Sequence, residues 1–198
     1  MDYIRSGFLD TSALIKSWRK NEEGHNNIIE CLKICKKENI HRWTSSLVIG
    51  EAIKRVQEIL ISMDECYEQD KIYRPELENS VINFVEDIIG NGIAITDLQL
   101  KNKEYTPKEI LYEIANQMEM EDFKKLSNKS PNDILILSTI LYQFICFEGP
   151  SKPFLISSDD DFCKAINKQG FESYNPTKKS FEDFMRKSKI FNEGVWIV

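Results

Sequence analysis

The chain has 198 residues, 41% of them apolar, with a formal net charge of −6 and a sequence pI near 5.1. That length suits one α/β domain spanning 1–198, with a helical insertion or extension within about 60–120. No apolar run approaches the roughly 20 residues that a bilayer span needs, and "MDYIRSGF" lacks the apolar core of a signal peptide, so the expectation is a cytoplasmic protein with no membrane association. The acidic balance counts against a general nucleic-acid coat, but not against an enzyme whose acids are gathered at one metal site.

In chain order, "YIRSGFL" reads as a short strand ending near Asp10. Asp10, Thr11 and Ser12 are also ordinary capping residues for a following helix. "HNNIIECLKICKKE" carries apolar residues at helical spacing, Ile28, Ile29, Leu32 and Ile34 or Cys35. "RWTSS" is a brief strand. "SLVIGEAIKRVQEILISM" is a strong helix with Ser45 or Ser46 as its cap. The polar stretch of about 60–75 has little pattern and reads as a helix extension or an inserted arm.

"PELENSVINFVEDIIG" predicts a helix, with Pro75 near its start and Gly90 near its end. "GIAITDL" is a strand. "TPKEILYEIANQM" is a helix with Thr106 as cap, and "SPNDILILSTILYQFICF" is the most apolar helix. "KPFLISSD" is a strand whose run of Phe154, Leu155 and Ile156 implies burial on both faces. "DDFCKAINKQG" is a short helix closed by Gly170, and "FESYN" is a strand. "TKKSFEDFMRKS" is a helix, and "VWIV" is a terminal edge strand. Strands alternating with helices of ten or more residues predict a parallel sheet covered on both faces.

Five cysteines, Cys31, Cys35, Cys66, Cys146 and Cys163, include no CxxC pair, and His25 and His41 complete no zinc set. They read as structural thiols.

The acids are more telling. Asp10 follows the first strand, Glu51 lies one turn into the helix after the short strand "RWTSS", Asp133 opens the apolar helix, and Asp159, Asp160 and Asp161 follow "FLIS". In an open parallel sheet, ligands bind outside the carboxyl ends of the strands. Each acid has a plain alternative: Asp10 as a cap, Glu51 pairing with Arg55 one turn on, Asp133 as a first-turn acid, and "SSDDDF" as a solvated turn. If they converge, the repulsion is large. Two unit charges about 5 Å apart repel by roughly 3 kcal/mol at an effective dielectric of 20, and hard divalent cations such as Mg²⁺ or Mn²⁺ relieve it.

"FLDTSALI", "TSSLVIGEAIKRV", "PNDILILSTIL" and "FLISSDDDF" resemble, in order, the four motifs of the PIN-domain nucleases. The resemblance runs from about residue 3 to 175. It implies a three-layer α/β/α sandwich with a central parallel sheet and a Mg²⁺- or Mn²⁺-dependent ribonuclease site. On it, Asp10, Glu51, Asp133 and Asp159 are the catalytic, metal-binding acids, Asp161 is a further metal-binding acid, and Ser12 supports the first motif. RNA is the implied substrate, and an antitoxin protein or a second copy of the chain are implied partners. The chain departs from the compact toxins in its extra length between about 60 and 120, and in the bulk of "ILILSTIL".

Lys16, Arg19, Lys20 and Arg42 are candidate RNA-phosphate contacts, against a solvated charged face. Trp18 and Trp43 are candidate base-stacking residues, against a place in the core. The competing functions are a non-catalytic RNA- or protein-binding module and a Mg²⁺-dependent phosphoryl-transfer domain. The dehalogenase form of the latter needs an acid two residues after the first, where this chain has Ser12.

Overall fold

The computed structural model describes residues 5–63, 74–95, 153–168 and 170–192. Asp133, the helices expected over 106–118 and 130–147, Cys66, Cys146 and the terminal "VWIV" lie outside them.

Five strands form one all-parallel sheet: β1 (Ser6–Leu9), β2 (His41–Thr44), β3 (Ala94–Ile95), β4 (Pro153–Ile156) and β5 (Glu172–Tyr174), in the order β3-β2-β1-β4-β5. The helices among the described residues are α1 (Thr11–Trp18), α2 (His25–Lys37), α3 (Ser46–Met63), α4 (Arg74–Gly90), α5 (Asp160–Lys168), α6 (Phe181–Lys187) and α7 (Lys189–Asn192). The chain runs outward from β1 to β3 and resumes on the other side of β1 with β4. The topological switch point therefore falls between β1 and β4, where a doubly wound sheet opens its ligand crevice.

Local chemistry explains the elements. Buried Ile28, Cys31, Leu32 and Cys35 form one stripe of α2, and Phe162, Cys163, Ala165 and Ile166 form that of α5. Ser45 Oγ accepts the N–H of Val48 at 3.3 Å, which settles the cap of α3 on Ser45. Gly170 closes α5 with φ +82, a conformation that side chains resist. All of β4 is buried, as its apolar run implies.

Helices cover both faces, giving a three-layer α/β/α sandwich. Successive strand residues face opposite sides. Gly7, Phe154 and Glu172 are in register and share one face. There Phe154 stacks with Phe181 and Phe184 of α6, at 6.0 and 5.4 Å between ring centroids. Tyr174, on the same face, donates its O–H to the carbonyl of Asn27 in α2 at 3.3 Å. Ser173 faces the other way and reaches Asn167 Oδ1 of α5 at 3.0 Å. Gly7 lets the Phe154 ring lie over β1, because a Cβ there would stand 3.0 Å from both Phe154 Cζ and Ile156 Cδ1.

Two features differ from the sequence pattern. The helix expected from 177 begins at Phe181, because Asn175 Oδ1 takes the N–H and hydroxyl of Thr177 in a side-chain-closed turn, and Ser180 caps α6. The four-residue helix α7 was not legible in the pattern. Both tryptophans pack inward: Trp43 meets Phe8 edge-on at 4.6 Å, and Trp18 meets Phe84 at 6.1 Å. Cys31 and Cys35 are free and buried with sulfurs 3.9 Å apart, and burial raises the Cys31 thiol pKa well above its ordinary value. Among the described residues, no helix is long and apolar enough to cross a membrane.

Candidate functional site

The site starts where β1 stops. Asp10 leaves the strand with its N–H on the carbonyl of Ile156, so β1 and β4 are joined to their last residues. The same residue caps α1: its Oδ1 accepts the N–H of Thr11 at 2.6 Å. Its Oδ2 accepts the hydroxyls of Ser12 at 2.9 Å and Ser157 at 2.7 Å. The capping role and the site role thus coincide in one side chain.

Asp10 is only 5% exposed. Desolvation raises its pKa above the ordinary carboxyl value. The hydrogen bonds from Ser157, Ser12 and Thr11 oppose that rise, and the nearby charge of Glu51 adds to it. All three donors to Asp10 are neutral.

Two connections tie the other acids to it. Thr11 Oγ1 donates to Glu51 Oε2 at 2.7 Å, across from α1 to α3. Arg55, the expected partner of Glu51, instead donates to Glu58 at 2.9 Å. On the other side, Ser157 Oγ accepts the N–H of Asp159 at 3.0 Å, and Ser12 Oγ accepts the N–H of Ser158 at 2.8 Å. Asp159 caps α5, its Oδ1 taking the N–H groups of Asp161 and Phe162 at 2.8 and 3.2 Å.

Asp159→Ala should therefore cost about 1 kcal/mol of stability, while Asp159→Asn, a cap of equal quality, should cost little. Urea unfolding of both variants checks this. Equal losses would show that charge, not capping, is what α5 needs.

Asp10, Glu51 and Asp159 line one cleft of about 450 Å³ at the switch point. Thr11, Ser12, Ser158, Lys16, Glu22 and Arg55 share its wall, with Ile15, Ile59 and Phe162 as the apolar side. Lys16 Nζ is held by the carbonyl of Glu23 at 2.8 Å and by Glu22 at 3.4 Å.

The remaining candidates lie elsewhere. Asp160 turns to Asn175 and Lys178, and the hydrogen bond from Lys178 leads the lowering of its pKa. Asp161 is exposed, 3.5 Å from Lys164, and does not line the cleft. Arg19 pairs with Glu22 at the rim. Arg42 stands apart from the cleft, donating to the carbonyl of Asn91 at 2.7 Å. The structure adds residues that sequence reading did not select as site residues, among them Thr11, Ser157, Glu22 and Arg55. Only Ser157 had a signal, since it precedes Asp159 by the two-residue step that separates Ser12 from Asp10.

An all-oxygen set of carboxylates and hydroxyls suits a hard divalent cation rather than a thiophilic one. The buried Asp10 carboxylate, with neutral donors only, fits such an ion. Among the described residues, no group of three or more His, Cys, Asp and Glu forms a ready-made metal site, and the fourth expected acid, Asp133, lies outside them.

No protein-family model matches the chain, and no curated protein matches it.

Proposed function

We propose that the chain is a Mg²⁺- or Mn²⁺-dependent endoribonuclease of the PIN-domain type, hydrolysing RNA phosphodiester bonds. One observation carries the reading. The buried carboxylate of Asp10 sits at the switch point, linked through Thr11 to Glu51 and through Ser157 to the Asp159 turn, around a single cleft.

Asp10, Glu51 and Asp159 would hold the metal, with Asp133 joining them on the motif resemblance. A bound divalent ion supplies a water of lowered pKa and neutralises charge on the phosphate. The chain's own part is positional. Asp10 is held by three donors and by the end of β1, so its carboxylate stays in place without reorganisation. The α5 cap fixes Asp159 in the same way. Lys16 and Arg55 line the cleft beside these acids, Lys16 paired with Glu22 and Arg55 with Glu58.

The test is RNA cleavage by the full chain with Mn²⁺ or Mg²⁺, with and without chelator. Cleavage should require the metal and leave 5′-phosphate ends. A 2′,3′-cyclic phosphate product, or full activity in excess chelator, would sink the metal-hydrolysis reading.

A further inference from the structure

Thr11 holds two acids at once. Its N–H donates to Asp10 Oδ1 at 2.6 Å, and its hydroxyl donates to Glu51 Oε2 at 2.7 Å, across 40 residues of sequence. A threonine near a helix end ordinarily bonds its own backbone. Here the hydroxyl crosses to another helix, from a residue that is itself buried.

Thr11 is well suited to hold a fixed point. It is the first residue of α1, so its N–H has no partner within the helix and is available to Asp10. Its branched Cβ restricts χ1, which aims the hydroxyl. Glu51, by contrast, has a long side chain of high rotamer freedom. Its helical neighbour Arg55 does not restrain it, being paired with Glu58.

We infer that Thr11 is a positioning residue for the metal site: its hydroxyl fixes the Glu51 carboxylate of α3 beside Asp10 of β1, so that two acids from distant elements present one oxygen-lined place for a divalent cation. The inference rests on the proposed metal-dependent activity, but it concerns binding and needs no turnover to be tested. Outer-sphere partners of metal ligands commonly change metal affinity by about 10–100-fold.

The experiment is calorimetric titration of the full chain with Mn²⁺ alone. Wild type is compared with Thr11→Val, Thr11→Ser, Glu51→Ala and the double variant Thr11→Val/Glu51→Ala, each checked by thermal melting. Thr11→Val keeps the shape and the N–H but loses the hydroxyl, and should weaken Mn²⁺ binding about tenfold. Thr11→Ser should restore it. In the Glu51→Ala background, Thr11→Val should add little, because the two act through one contact.

If wild type binds Mn²⁺ and Thr11→Val binds it equally well, the role of Thr11 is overturned while the metal site stands. An equal weakening by Thr11→Val with and without Glu51 also overturns it, since the effect would not pass through Glu51. A wild type that binds no Mn²⁺ removes the metal reading and this inference together. Should Thr11→Val fail to fold, Thr11→Ala, which introduces no additional methyl group, is read by the same criteria.

Discussion

Phe154→Ala is expected to remove about 3–5 kcal/mol of stability, the loss usual for truncating a fully buried phenylalanine. Phe154 has no exposed surface. Its ring lies among Phe181, Phe184 and Phe191, the last at 5.8 Å between centroids, and closes over Gly7 from the neighbouring strand. Alanine would leave a cavity bordered by rings that also pack on one another, Phe181 with Phe184 at 5.7 Å, so collapse into the space is limited. The consequence reaches the site, because β4 carries Ser157 and the Asp159 turn directly after Ile156. Urea unfolding should show a lower midpoint with an unchanged slope. A loss below about 1 kcal/mol would mean that this aromatic group is not what holds β4 against α6.

Much of this architecture could be read from local signals. Capping and periodicity depend on neighbours along the chain, and α2, α3, α4 and α5 emerge close to their expected limits. The acids at Asp10 and Asp159 were legible because a strand end followed by Asp and hydroxyl residues is a local pattern. The links between them were not. Ser157 and Asp10 are 147 residues apart, and their hydrogen bond exists because β4 returns beside β1. Nothing in the spacing of either motif encodes that adjacency. Thr11 was read only as a capping residue, for the same reason: its partner Glu51 arrives on α3, which packs against α1. Arg42 was a candidate phosphate contact weighed against a solvated face. Its strand places it near Asn91 and Gly92, away from the cleft, with one guanidinium nitrogen donating to the Asn91 carbonyl, an adjacency that the spacing of the sequence does not encode.

Asp10→Asn is expected to lower metal-dependent RNA cleavage by at least about 100-fold, since even supporting partners of metal ligands commonly account for 10–100-fold. The same substitution should leave the fold intact. Asparagine keeps an oxygen for the N–H of Thr11, and the hydroxyls of Ser12 and Ser157 can rotate to accept from the new amide. Asparagine is also as good a helix cap as aspartate. Stability should then separate from activity in a pH-dependent way. Burial raises the pKa of Asp10 above its ordinary value, so the native state keeps this proton to higher pH than the unfolded chain does. The protonated group's contribution is fully present below the unfolded pKa and is lost as pH rises through the raised native one. Asparagine has no proton to lose. The melting temperature of Asp10→Asn, measured relative to wild type without metal, should therefore rise as pH increases from about 4 and level off above the native pKa. Other carboxylates titrate in both proteins and largely cancel in the difference. Added Mn²⁺ should close the gap at neutral pH by stabilising only the wild-type carboxylate site. A variant that instead loses stability relative to wild type as pH rises, with Mn²⁺ leaving both melting curves unmoved, would show that the Asp10 charge is a favourable structural element and not the seat of a cation.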